Sequence, residues 1–189
     1  MNKFEYFRNL DFFISNNYAF LVSITDYIMR GVINMKQVDS LLQAWLRHRD
    51  ALVALVDVTP EGNQNFTPWE GAWTYALLTL HIVGMGEWFM QAVASGEMAN
   101  PEPPVQVTSM QQLKEIVHEV TKRTTDTFKA LPDEQLSAEI NTSKIFGVNL
   151  TGAQIIEAMF EHEIHHKGQL FVYARMCGVE NPPFFFNRG

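Results

Sequence analysis

The pentapeptide His162-Glu163-Ile164-His165-His166 lies within a long amphipathic stretch, and two histidines four residues apart project from the same side of an α-helix. Imidazole suits zinc, nickel, copper and iron alike, so His162 and His166 read as two ligands of a divalent-metal site. The same letters fit the HExxH pattern of zinc proteases, in which the glutamate, here Glu163, is the general base. That pattern draws its third ligand from downstream. Here His166 is the last histidine, and Glu180, the only later acid, adjoins Asn181-Pro182-Pro183 in a terminal turn. The protease reading therefore lacks a ligand.

Upstream, His48 lies in Arg47-His48-Arg49-Asp50, which reads as a solvated face, and His118 sits beside Glu119, off the stripe of Leu113, Ile116, Val117 and Val120. His81 is better placed, on the stripe Leu77-His81-Gly84-Trp88, where Gly84 would let helices approach closely. In the last helix Ile155, Met159, His162, His166, Gln169, Tyr173 and Met176 recur at spacings of four and three, the inward stripe of a bundle helix. Burying two adjacent imidazoles without partners costs on the order of a few kcal/mol each, and a shared divalent ion removes that cost. Three imidazoles leave a fourth position to water, the arrangement of catalytic sites. Glu163 falls at the site's edge, either as the catalytic general base or as a carboxylate that lies on the surface or orients a ligand. Gln169 and Tyr173 are candidate lining residues, and His165, on a small polar stripe, is expected to face solvent or a helix contact.

Four amphipathic segments carry these residues. Val38 to Val58 stops before Pro60-Glu61-Gly62. Three more open on the capping-box pattern, Thr67 with Glu70, Thr108 with Gln111, and Thr151 with Gln154, and end near Gly96, Leu131-Pro132 and Gly178. In the first of these Pro68 takes the first helical position. Residues 144–150 are expected to hold a short extended piece. With no strand-period rival, the pattern predicts an all-α protein, an antiparallel four-helix bundle.

At 189 residues, 47% of them apolar, the chain has enough material for one core. A net charge of -7 with scattered Lys and Arg offers no basic stripe for nucleic acid. The one cysteine, Cys177, rules out an internal disulfide and is expected to be inert core. No segment reads as a membrane span, the nearest run being Tyr18 to Met29, and no secretory leader is evident, so a cytoplasmic location is expected. Residues 1–34 are rich in aromatics (Phe4, Tyr6, Phe7, Phe12, Phe13, Tyr18, Phe20, Tyr27) and are expected to form a helical arm, or a non-native leader ahead of a natural start at Met35.

His81, the run from His162 through His166-Lys167-Gly168-Gln169-Leu170, and the following Tyr173, Gly178 and Pro182-Pro183 resemble the DinB-like superfamily over residues 35–186. The resemblance implies a four-helix bundle in up-down-down-up order, a zinc or nickel ion held by His81, His162 and His166, and a homodimer. For chemistry it implies a metal-dependent thiol S-transferase or isomerase using a low-molecular-weight thiol, or a hydrolase, on a small-molecule substrate, without DNA binding; no membrane partner is expected either, for want of a long apolar run. A non-catalytic metal-binding or interaction protein is the alternative. A second apolar face of the last helix, Ile156, Phe160, Ile164 and Phe171, needs a further neighbour, either a partner subunit or the aromatic arm.

Overall fold

The computed structural model describes residues 36–101, 103 and 105–187. The aromatic segment 1–34, and with it the choice between arm and leader, lies outside the described residues. The chain divides into Met1–Lys36 and Gln37–Gly189, and the described elements belong to the second unit. They are α1 (Gln37–Val58), α2 (Tyr75–Ser95), α3 (Met110–Ala130), a 3-10 turn (Asp133–Leu136), β1 (Glu139–Ile140), the one-turn α4 (Ser143–Phe146), β2 (Leu150–Thr151) and α5 (Gly152–Met176). The all-α reading is borne out, with one two-residue antiparallel ladder among the described residues, Glu139 opposite Thr151 and Ile140 opposite Leu150. The extended piece expected across 144–150 is confined to its end, because residues 143–146 wind into a helical turn closed by Gly147.

Each of α1 and α2 packs against both α3 and α5. Trp45 meets Phe128 and Asp57 meets His118, so α1 and α3 run in opposite directions. His81 meets His166 while Phe89 meets His162, so α2 and α5 do too. The Trp45–Glu163 and His48–Lys167 contacts make α1 and α5 parallel.

Helix boundaries follow the capping chemistry, with two shifts. The Thr151–Gln154 box forms as expected and starts α5. At α3 the cap is Ser109, one residue late, while Thr108 bonds Gln112 Oε1 through both its amide and its hydroxyl. The larger shift is at α2: Thr67-Pro68 does not open the helix. Gly71 adopts a left-handed φ of 82°, which breaks any helix begun there. Residues 67–73 are turns that fold back so that Tyr75 and Ala76 donate to Phe66 and Gln64 carbonyls, and Thr74 becomes the cap. Gly96, with φ 78°, ends α2 as expected.

Helix α2 corrects one expectation. Over 21 residues it is long and apolar enough, by length and composition alone, to cross a membrane, and most of it is buried inside the protein. It is apolar on several sides because it is flanked by both α3 and α5.

The core separates into two apolar clusters. One gathers Leu52, Leu55 and Val56 of α1 with Leu78, Ile82 and Val83 of α2, Met110, Leu113, Val117 and Val120 of α3, and Leu170, Phe171 and Ala174 of α5. The other gathers Val38, Leu42 and Trp45 with Phe89, Met90, Val93, Phe128, Ile155, Ile156 and Met159. Between them lie the buried Arg49 and Ala51 on α1, Gly86 on α2, Thr124 on α3, and Glu163 and Lys167 on α5. Of the expected second apolar face of α5, Ile156 and Phe171 are buried, Phe160 is partly buried against the second cluster, and Ile164 is exposed, as are Val172 and Met176.

Two glycines of α5 give opposite expectations. A Cβ on Gly152 would run into the Gln135 carbonyl and press on Val93, whereas one on Gly168 meets nothing. Gly152→Ala should therefore cost about 1–3 kcal/mol through overpacking, and Gly168→Ala should be neutral or stabilising by up to about 1 kcal/mol through helix propensity. Urea midpoints of the two variants check this; equal midpoints would contradict the packing at the start of α5.

Candidate metal centre

Because α2 begins only at Tyr75, His81 lies near the end of its second turn, level with the middle of the antiparallel α5. There His81 Nε2 and His162 Nε2 are 2.8 Å apart. The ring centroids of His81, His162 and His166 are 4.7, 4.9 and 4.5 Å from one another. One ligand atom from each lies within 4.8 Å of the other two, and all three side chains are half-buried. The structure thus brings together the three histidines singled out in the sequence.

The donor set fits a divalent ion. Zinc held by imidazoles at about 2.0–2.1 Å in a tetrahedron needs its nitrogens about 3.3 Å apart, so the His81–His162 spacing has only to open by about half an ångström. Burial, then the neighbouring His166 and His81, pushes the pKa of His162 down to about 4. His81 is lowered too, by burial first and then by His166. Both rings are therefore neutral near pH 7, as a ligand must be. His166 Nδ1 donates to Gln169 Oε1 at 2.8 Å, which leaves its Nε2 as the lone-pair nitrogen. Gln169 is exposed and also reaches His165 Nε2 at 3.2 Å.

Aromatic rings flank the cluster. Trp73, placed by the turn that delays α2, lies 4.7 Å from the His81 ring and stacks at 6.3 Å on His166, with 44% of its surface exposed. Phe89 meets His162 edge-on at 6.2 Å and stacks with the exposed Phe146 of α4.

Glu163 is not brought to the cluster. Its carboxylate points to α1 and is 1% exposed. Oε1 accepts from Arg49 Nε at 3.0 Å, and Oε2 accepts from Arg49 Nη2 at 2.7 Å and from Trp45 Nε1 at 2.9 Å. Arg49, expected on a solvated face, is fully buried and also reaches Thr121 Oγ1 at 3.4 Å. Lys167 is buried as well. Its ammonium donates to His48 Nδ1 at 2.9 Å and to the Phe185 carbonyl at 2.8 Å, and burial pulls its pKa down to about 8. The close helix approach expected at Gly84 is not found there, and the tight glycine of this helix is Gly86, which makes room for a side chain. Gly84 is exposed with open space around it, whereas a Cβ on Gly86 would stand 2.8 Å from Arg49 Nη2.

The buried stripe of α5 accordingly runs through Ile155, Met159, Glu163, Lys167, Leu170 and Ala174, with the histidines at its margin and Gln169 and Met176 exposed. Sequence reasoning missed Arg49, Glu163 and Lys167 as partners. The available signal was that Arg49 continues the apolar spacing of Leu42, Trp45, Leu52 and Val56. Of the remaining candidates, His118 is exposed and paired with Asp57, and Tyr173 packs against the Phe66 and Trp69 rings. Cys177 packs against the first apolar cluster, and burial raises its thiol pKa to about 11, which leaves little thiolate.

Comparison with known proteins agrees with the fold. The family model described as the DinB family matches residues 34–188. The protein YjoA of Bacillus subtilis is 30% identical over 154 residues, which is 82% of this chain and 99% of that protein. The crystal structure of the DinB-like YjoA superposes with a TM-score of 0.69 at 28% identity, covering 79% of this chain and 99% of that one. A DinB-like protein from Bacillus cereus shares the fold at 19% identity, with a TM-score of 0.66 over 79% of this chain and 98% of its own. An all-α chain with three convergent histidines, matched along most of its length, belongs to the DinB family.

Proposed function

We propose that this protein is a divalent-metal-dependent enzyme, with zinc or nickel at His81, His162 and His166, that transfers a low-molecular-weight thiol to a small electrophile or hydrolyses it. The observation that carries this reading is the convergence of three half-buried imidazole nitrogens within 4.8 Å. A bound divalent ion supplies Lewis acidity and a more acidic water or thiol at its open position. The chain's own contribution is positional. His81 comes from one helix and His162 and His166 from the antiparallel neighbour, so the donors face each other without a loop between them. Gln169 holds the His166 proton on Nδ1. The partly exposed Trp73 beside the cluster, and Phe146 one ring further out on Phe89, offer apolar surface suited to the uncharged part of a small substrate. Partial exposure of all three histidines favours an open position over a sealed structural site. The Glu163 carboxylate already accepts three N–H bonds, and this favours a role in holding the helix over one as a base.

Purified without an affinity tag and titrated with Zn²⁺ or Ni²⁺, the protein should take up one ion per chain. His81→Ala, His162→Ala and His166→Ala should each weaken binding by more than about 100-fold while leaving the helical circular dichroism intact. Gln169→Leu should weaken it by about tenfold, the loss typical of a group that orients a ligand. Unchanged binding in the histidine variants would sink the metal reading.

The reaction is tested separately. Metal-loaded protein, assayed against electrophiles paired with small thiols and against esters and amides in water, should accelerate one class, with the rate lost in His162→Ala. Full metal occupancy without turnover of any pair would favour the non-catalytic alternative.

A further inference from the structure

Both residues that follow a histidine of the α5 pair are charged, buried and tied to α1. Glu163 follows His162 and is gripped by Arg49 and Trp45; Lys167 follows His166 and is held by His48. Neighbouring residues on a helix are about 100° apart, so a helix whose positions 163 and 167 are drawn to α1 must turn positions 162 and 166 toward a different neighbour. That neighbour is α2, which carries His81. The two-point fork of Arg49 on Glu163, at 3.0 and 2.7 Å, fixes rotation and register more tightly than a single contact or apolar packing would. Gly86, five residues beyond His81, leaves room for the guanidinium against α2, so the same group that sets α5 also sets how α2 lies beside it.

We infer that Arg49 and Glu163 are positioning residues for the three-histidine centre: their ion pair sets the rotation of α5 that turns His162 and His166 onto His81. The inference rests on the metal reading above and extends it to groups that touch no ion. A merely structural role is the rival, and it makes a different demand. A buried ion pair is commonly replaced by apolar side chains of similar size without loss of stability. A purely structural Arg49–Glu163 pair would therefore be dispensable to binding once the core is refilled.

The test is the double variant Arg49→Met/Glu163→Leu, with Glu163→Gln beside it, which keeps the side chain's shape and one carbonyl oxygen but leaves the Arg49 charge without its counter-ion. Melting temperature, Co²⁺ affinity, the visible absorption of bound Co²⁺ and a metal-free crystal structure are measured on each and on the unaltered protein. The expected result is a cooperative melt near or above that of the unaltered protein for the double variant, about tenfold or greater loss of Co²⁺ affinity, an altered Co²⁺ spectrum, and a His81–His162 nitrogen distance longer than 2.8 Å. If the double variant fails to fold, Glu163→Gln decides: weaker binding with an altered spectrum supports positioning, and unchanged binding overturns it. Unaltered protein that takes up no Co²⁺ overturns the metal reading and this inference together. Uptake by the unaltered protein, with affinity, spectrum and histidine distance all unchanged in the variants that fold, overturns this inference alone.

Discussion

The interaction on which the rest of the structure depends is the buried pairing of Arg49 with Glu163. It stands where the two apolar clusters stop, and Arg49 touches each long helix in turn: it belongs to α1, bonds Glu163 of α5, reaches Thr121 of α3 and lies against Gly86 of α2. Desolvating both charges costs several kcal/mol per ion, and removing one partner alone would strand the other at a cost of about 3–5 kcal/mol. That asymmetry constrains every neighbour. Trp45 must present its indole N–H to Oε2, and position 86 must remain glycine or displace the guanidinium.

The placement of the site follows from that constraint. With Glu163 and Lys167 occupying the inward stripe of α5, the histidines are pushed to the stripe's margin, half-exposed and facing α2. A histidine pair in the centre of the core would be sealed; a pair on the outer face would be solvated and easily protonated. At the margin, burial keeps His162 and His81 neutral while one side remains open. The turn of residues 67–73 contributes from the other direction, since delaying α2 to Tyr75 leaves Trp73 off the helix and beside His81.

Much of this was legible in the sequence. The spacing of His162 and His166, the apolar setting of His81, the extents of α1 and α5 and the capping box at Thr151 all follow from local rules that the tertiary structure does not oppose. What was not legible has specific physical reasons. Glu163 and His162 are adjacent, so an inward stripe drawn through the histidines and one drawn through Glu163 and Lys167 have the same period; only the partner on α1 decides between them. Arg49 sits between charged residues in the sequence and reads as surface until its carboxylate, more than a hundred residues away, is known. Thr67-Pro68 carries a good helix-start signature, but Gly71 takes a left-handed conformation that the signature does not contain. Gly84 and Gly86 offer the same freedom, and only the arginine selects Gly86.

The most direct test of the three-histidine centre is X-ray absorption at the metal edge of the zinc-loaded protein. The account predicts imidazole scattering from three histidines, with Zn–N distances of about 2.0–2.1 Å and one further oxygen or nitrogen neighbour. A spectrum with fewer than two imidazoles, or with a sulfur neighbour at about 2.3 Å from Cys177, would contradict it.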